Sequence, residues 1–126
     1  MNIPDEVRRF VLANLVSVPQ LEALLLLRAS PAESWTPERV AARLYVSAAT
    51  VETLLAPLAD TGVVAAEGTG AQRAWRYAPR TPELDALCAQ IEDVYARHLV
   101  QVSRLIHSKG DRAAQRFADA FKWRKD

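Results

Sequence analysis

The sequence predicts a mainly α fold with one small β-hairpin. Three observations lead there. Apolar residues recur at helical spacing along most of the chain. Four start signals, at Ser17, Thr36, Ser47 and Thr81, precede those stripes. Between the third and fourth stripes, residues 63–67 and 72–78 read as strands joined by Gly68–Thr69–Gly70.

The first helix is expected over residues 4–16. Pro4 suits its first turn and Asp5 and Glu6 suit its positive end, with Val7, Phe10, Val11 and Leu15 on one stripe. Ser17 with Gln20 resembles a capping box and opens a second helix, residues 18–29. Its leucines lie nearly all round, which predicts burial on more than one side. Thr36–Pro37–Glu38 opens a third, short helix with Val40, Ala41 and Leu44 inward, and Tyr45–Val46 turns the chain. Ser47 caps a fourth helix with Val51, Leu54, Leu55 and Leu58 inward, and Gly62 suits its left-handed stop. Pro57 lies inside this helix, removes the bond to the Thr53 carbonyl and predicts a kink. In the returning strand Arg73, Trp75 and Tyr77 share a face. Thr81–Pro82–Glu83 then opens a long helix, residues 82–108, before Lys109–Gly110 breaks it. A last segment over residues 112–123 carries Phe117, Phe121 and Trp123 among basic residues and is expected to dock on the body or on a partner.

At 126 residues the chain is expected to form a single domain, with residues 18–80 as its core and residues 1–17 and 81–126 as flanking helices. A core of this size leaves room for dimerisation to add stability. One cysteine, Cys88, excludes an internal disulfide and a cysteine-rich zinc site. The first residues lack the order of a signal peptide, and the run Leu24–Leu27 is far short of the roughly 20 apolar residues of a membrane span. A cytoplasmic location is therefore expected, with no membrane role.

The formal charge is only +1, yet it is uneven. Residues 45–64 hold no Lys or Arg but do hold Glu52 and Asp60; positive charge collects at Arg73, Arg76 and Arg80 and in the tail.

Residues 36–78 resemble the winged helix-turn-helix module of small bacterial transcriptional regulators of the MarR, ArsR and PadR families. The resemblance rests on TPERVAARLYVSAATVETLLAPLADTGVV followed by AAEGTGAQRAWRYA: two helices, Val46–Ser47 at the turn, Leu54, Leu58, Gly62 and Val63, then a glycine-turned wing. It implies that the fourth helix enters the major groove and the wing touches the backbone. By position, Ser47, Ala48, Ala49, Thr50, Glu52 and Thr53 would face DNA, with Arg43, Arg73 and Arg76 near phosphates. The flanking helices resemble dimerisation arms, which would place Phe10, Leu84, Ile91, Tyr95, Val102 and Ile106 at a homodimer interface. The chain departs from the pattern in three places: no cation on the reading helix, Tyr45 where a small residue is usual, and Pro57.

Other chemistry finds little support. His98 and His107 are nine residues apart without ligand-spaced partners, and no phosphate loop, nucleophile elbow or metal motif is present. Glu92 and Asp93 diverge by about 100° on a helix, too far for a carboxylate pair. No enzyme activity and no cofactor are expected. Two readings stay open: a dimeric regulator binding double-stranded DNA, and a winged-helix module binding another regulatory protein instead. In the first, Arg43, Arg73, Arg76 and Arg80, doubled in a dimer, approach the roughly 6–10 phosphate contacts of a strong binder.

Overall fold

The computed structural model describes residues 3–108. Helices α1 (Asp5–Asn14) and α2 (Val18–Ala29) meet at a bend of 115°. They are followed by α3 (Pro37–Leu44), α4 (Ala48–Thr61), strands β1 (Val64–Glu67) and β2 (Ala74–Tyr77), α5 (Pro82–Arg97) and α6, helical over residues 99–108. The expected caps form. Ser17, Thr36, Ser47 and Thr81 each accept from the backbone N–H three residues on, at 3.1–3.2 Å. Gly62 ends α4 at φ 87, and an added Cβ there would meet the Arg80 side chain at 2.8 Å.

Helix α2 is the hub. Leu21, Ala23, Leu24 and Leu27 are fully buried, and it packs on α3, α4 and β2, as its all-round leucines predict. Val51, Leu55 and Leu58 of α4, Val7 and Val11 of α1, and Cys88 and Ile91 of α5 complete the core. Among these apolar groups sits one buried polar side chain, Gln20, 1% exposed. Its oxygen accepts from Val16 N–H at 2.8 Å, and its nitrogen donates to the Leu54 carbonyl of α4 at 3.1 Å. That carbonyl lies one residue past the one that Pro57 deprives of its helical partner. Helix α4 nevertheless runs on to Thr61.

The hairpin pairs antiparallel with Val64 opposite Tyr77 and Glu67 opposite Ala74. A contact invisible to strand periodicity extends it. Trp35 and Trp75 exchange both backbone hydrogen bonds at 2.7 Å, so β2 lies between β1 and the residue that leads into α3.

Three boundaries differ from expectation. Helix α1 stops at Asn14, whose side-chain amide donates to the Phe10 carbonyl at 3.2 Å, and Leu15 is extended. A short 3-10 turn, Gly70–Gln72, delays β2 until Ala74. The long helix of residues 82–108 is broken at His98 (φ −131, ψ 47), whose carbonyl then accepts from Val102 N–H at 3.0 Å and restarts the helix. A straight helix over 27 residues would span about 40 Å. The break instead turns Val102 and Ile106, each 1% exposed, back into the core. The expected docking of residues 112–123 lies outside the described residues.

Gln20→Met keeps chain length and volume but removes the bond to the Leu54 carbonyl and leaves the Val16 N–H without its side-chain partner. Denaturant unfolding should show a loss of about 1–3 kcal/mol; a change below about 0.5 kcal/mol would mean that the bridge contributes nothing net.

Candidate nucleic-acid interface

Helix α4 buries Val51, Leu54, Leu55 and Leu58 and turns its other side outward. Ser47, Ala49, Thr50 and Thr53 are exposed, and Ala48 and Glu52 are half-buried. The hydroxyls are already engaged. Ser47 Oγ and Thr50 Oγ1 share a bond at 2.8 Å, and Thr53 donates to the Thr50 carbonyl at 2.8 Å. Thr53 can thus accept from a base amino group, but it can donate to a phosphate only by giving up its internal bond. The remaining positive element of this helix is its N-terminal end.

The arginines expected at phosphates are arranged differently. Strand alternation places Arg73 on the same side as the buried Trp75, facing α4. Arg73 Nε lies 3.1 Å from the Glu52 carboxylate. Trp75 Nε1 donates to the same carboxylate at 3.3 Å, and the Arg73 guanidinium sits 4.9 Å from the Trp75 ring. Wing and reading helix are clasped, and beside the clasp lies an open cleft of about 500 Å³ bordered by Pro37, Ala48, Ala49 and Ala71. Arg76, on the outer face, pairs at 2.7 Å with Glu67, its diagonal neighbour across the hairpin. Arg43 differs from both. Its guanidinium is 5.7 Å from the Trp35 ring, under which Arg39 packs more closely at 3.8 Å, and Arg39 pairs with Glu33 at 3.0 Å. Among the described residues Arg43 is in no ion pair and is exposed, so it is the readiest cation of the expected three.

Behind the wing, polar contacts fasten α5 to the module. Arg28 pairs with Glu92 at 2.9 Å and lies 5.9 Å from the Tyr77 ring, while the Tyr77 hydroxyl donates to Asp85 at 2.6 Å. Burial pushes the Tyr77 phenol and the Cys88 thiol up from their ordinary values, the opposite of what a reactive thiol needs. Among the described residues no cluster of three His, Cys, Asp or Glu side chains is placed to hold a metal.

The residues expected at a dimer interface divide. Phe10, Ile91, Val102 and Ile106 are buried in the chain's own core. They lie on the inward stripe and keep no surface for a partner, each being 7% exposed or less. Leu84 and Tyr95 are half-buried and retain surface. Leu99 and Val100, 53% and 54% exposed at the start of α6, carry apolar surface and are not among the residues expected at the interface.

A helix pair joined by a tight turn, with its second helix bared and a hairpin beside it, is the winged helix-turn-helix arrangement. Solved structures share it. The homodimeric winged helix-turn-helix DNA-binding domain of a possible ArsR-family regulator from Mycobacterium bovis is 26% identical over 75% of this chain and 82% of that one, with a TM-score of 0.55. A MarR family protein from Bacillus stearothermophilus is 18% identical, covering 91% of this chain and 82% of that one, TM-score 0.52. The DNA complex of S. aureus MepR is 16% identical, covering 95% and 87%, TM-score 0.51. At the level of sequence, no family model and no curated protein matches. The fold is that of ArsR and MarR winged-helix domains. No single helix among the described residues is long and apolar enough to cross a membrane.

The clasp can be measured directly. With side chains 38% and 36% exposed, Arg73 and Glu52 should couple by about 0.2–1 kcal/mol in a double-mutant cycle of thermal or denaturant unfolding. Coupling of several kcal/mol would mark it as a structural strut, not a weak latch.

Proposed function

We propose that this chain is a transcriptional regulator of the cytoplasm that binds double-stranded DNA as a winged-helix dimer and carries no catalytic role or cofactor. The carrying observation is the bared outer face of α4, with Ser47, Ala48, Thr50 and Thr53, in a fold whose solved neighbours include a regulator bound to DNA. In this reading residues 18–80 hold the interface and the helices outside them assemble the dimer. The ion pairs of Arg73 and Arg76 do not block it. Each pair is half-exposed and worth about 1 kcal/mol or less, which a phosphate exchanging for the carboxylate offsets. Helix α4 then contributes shape, a positive terminus and hydroxyl or methyl contacts, while arginines outside it neutralise phosphates.

Fluorescence anisotropy against genomic fragments, repeated across salt concentrations, tests this. Log affinity should fall linearly with log salt, by about 0.9 per neutralised phosphate. Arg43→Ala should flatten that slope by about 1 per subunit, and Arg76→Ala by less. Absence of salt-sensitive binding at low salt sinks the proposal.

The same reading assigns the dimer to the outer faces of the flanking helices, around Leu84, Tyr95, Leu99 and Val100. Replacing both Leu99 and Val100 by Glu should shift the sedimenting species from dimer to monomer with the helical content intact. A parent that sediments as a monomer at the same concentration contradicts the assignment.

A second reading has its own observation: Glu52 and Glu67 neutralise both wing arginines, and α4 has no cation. That surface equally suits another regulatory protein. Capture of one stoichiometric protein from native lysate after nuclease treatment, together with failure of the DNA titration, favours it.

A further inference from the structure

Tyr45 joins α3 to α4 in the left-handed region, φ 58 and ψ 44, the one non-glycine residue at positive φ among the described residues. An L side chain there crowds its own backbone, so Gly or Asn is the usual occupant. The turn requires the conformation: Val46 N–H reaches back to the Ala41 carbonyl at 3.1 Å, as in a helix-ending motif that wants glycine. Leu44 and Val46 on either side pack partly against the core. Tyr45 does not, being 95% exposed. A large aromatic residue is therefore kept in a strained position where packing gains nothing from it. Strain of this kind concentrates at functional sites.

Its surroundings indicate which function. Ser47, the cap of α4, lies two residues after it, so Tyr45 stands at the start of the bared face of α4. On that face the Thr53 hydroxyl is committed to the Thr50 carbonyl, and Ser47 and Thr50 share one bond between them. The Tyr45 phenol, standing clear in solvent, is a hydroxyl donor with no internal partner among the described residues. Donors of this type position proteins on the DNA backbone. We infer that Tyr45 is a contact residue of the interface. Its hydroxyl donates to a phosphate oxygen of duplex DNA at the edge of the groove that α4 enters. This rests on the DNA-binding reading.

The test uses the full chain, a labelled mixed-sequence duplex at low salt, and thermal unfolding of each variant. Tyr45→Gly and Tyr45→Asn relieve the strain, so both should melt at or above the parent temperature. Both should bind DNA about tenfold more weakly, the loss expected for one charge-assisted hydrogen bond. Tyr45→Phe keeps the ring and the strained turn and should lose binding to the same extent. Binding by Tyr45→Phe within about twofold of the parent overturns the hydroxyl contact. Undiminished binding by all three variants, with a parent that binds in a salt-dependent way, overturns any interface role while leaving the DNA reading intact. A parent with no salt-sensitive binding overturns both, and retention of a captured protein partner then moves the surface to the second reading.

Discussion

The side-chain amide of Gln20 joins the corner between α1 and α2 to the middle of α4, through the Val16 N–H on one side and the Leu54 carbonyl on the other. Polar groups buried this deeply must be satisfied or they destabilise the fold. The bridge therefore accepts a narrow range of positions for α4 over α2. It also meets α4 close to where Pro57 removes a backbone donor, so the helix is held from outside where its own ladder is weakest. The first two turns of α4, which form the candidate interface, project from this anchored middle. Trp35 does the comparable task for the wing: two short backbone bonds to Trp75 fix β2 to the chain that enters α3. Helix and wing are thus each tied to the body by hydrogen bonds, which pre-organises the surface they form.

Electrostatics on that surface is held in reserve. A reading helix without cations would attract a polyanion poorly, and two of the wing's arginines are engaged with carboxylates. Half-exposed pairs are weak, however, and a phosphate offers an arginine the same charge with better geometry than one carboxylate oxygen. An interface that starts neutral binds indiscriminate polyanions less, because non-specific affinity follows the count of available charges. The same neutrality keeps the surface compatible with a protein partner, which is why Arg43, free of any ion pair among the described residues, and the strained Tyr45 separate the two readings better than the wing does.

Much of the fold was legible in the residues. The four caps, the Gly62 stop, the inward stripes and the hairpin turn all depend on local chemistry, and each formed where its signal stood. Arg73, Trp75 and Tyr77 sharing a face was also legible, because alternation along a strand is a local property. Other features were not. That Arg73 would meet Glu52 depends on how β2 lies across α4, and they are 21 residues apart. The pairing of Trp35 with Trp75 spans a greater distance and involves a single residue with no strand around it. The stripe of residues 84–106 is correctly apolar, yet spacing alone does not distinguish a partner from the chain's own body. In the folded chain Ile91, Val102 and Ile106 lie in the core, and Leu99 and Val100 lie outside it.

By itself, then, the sequence determined which segments are helix or strand, where the capped helices begin, and which side of each is apolar, because caps, turns and periodicity act over a few residues. Only the tertiary structure decided which charges neutralise one another, which apolar stripe is closed by the chain itself, and which residue is left strained and bare. Those outcomes depend on distances between segments remote in sequence, and such distances exist only once the elements have packed.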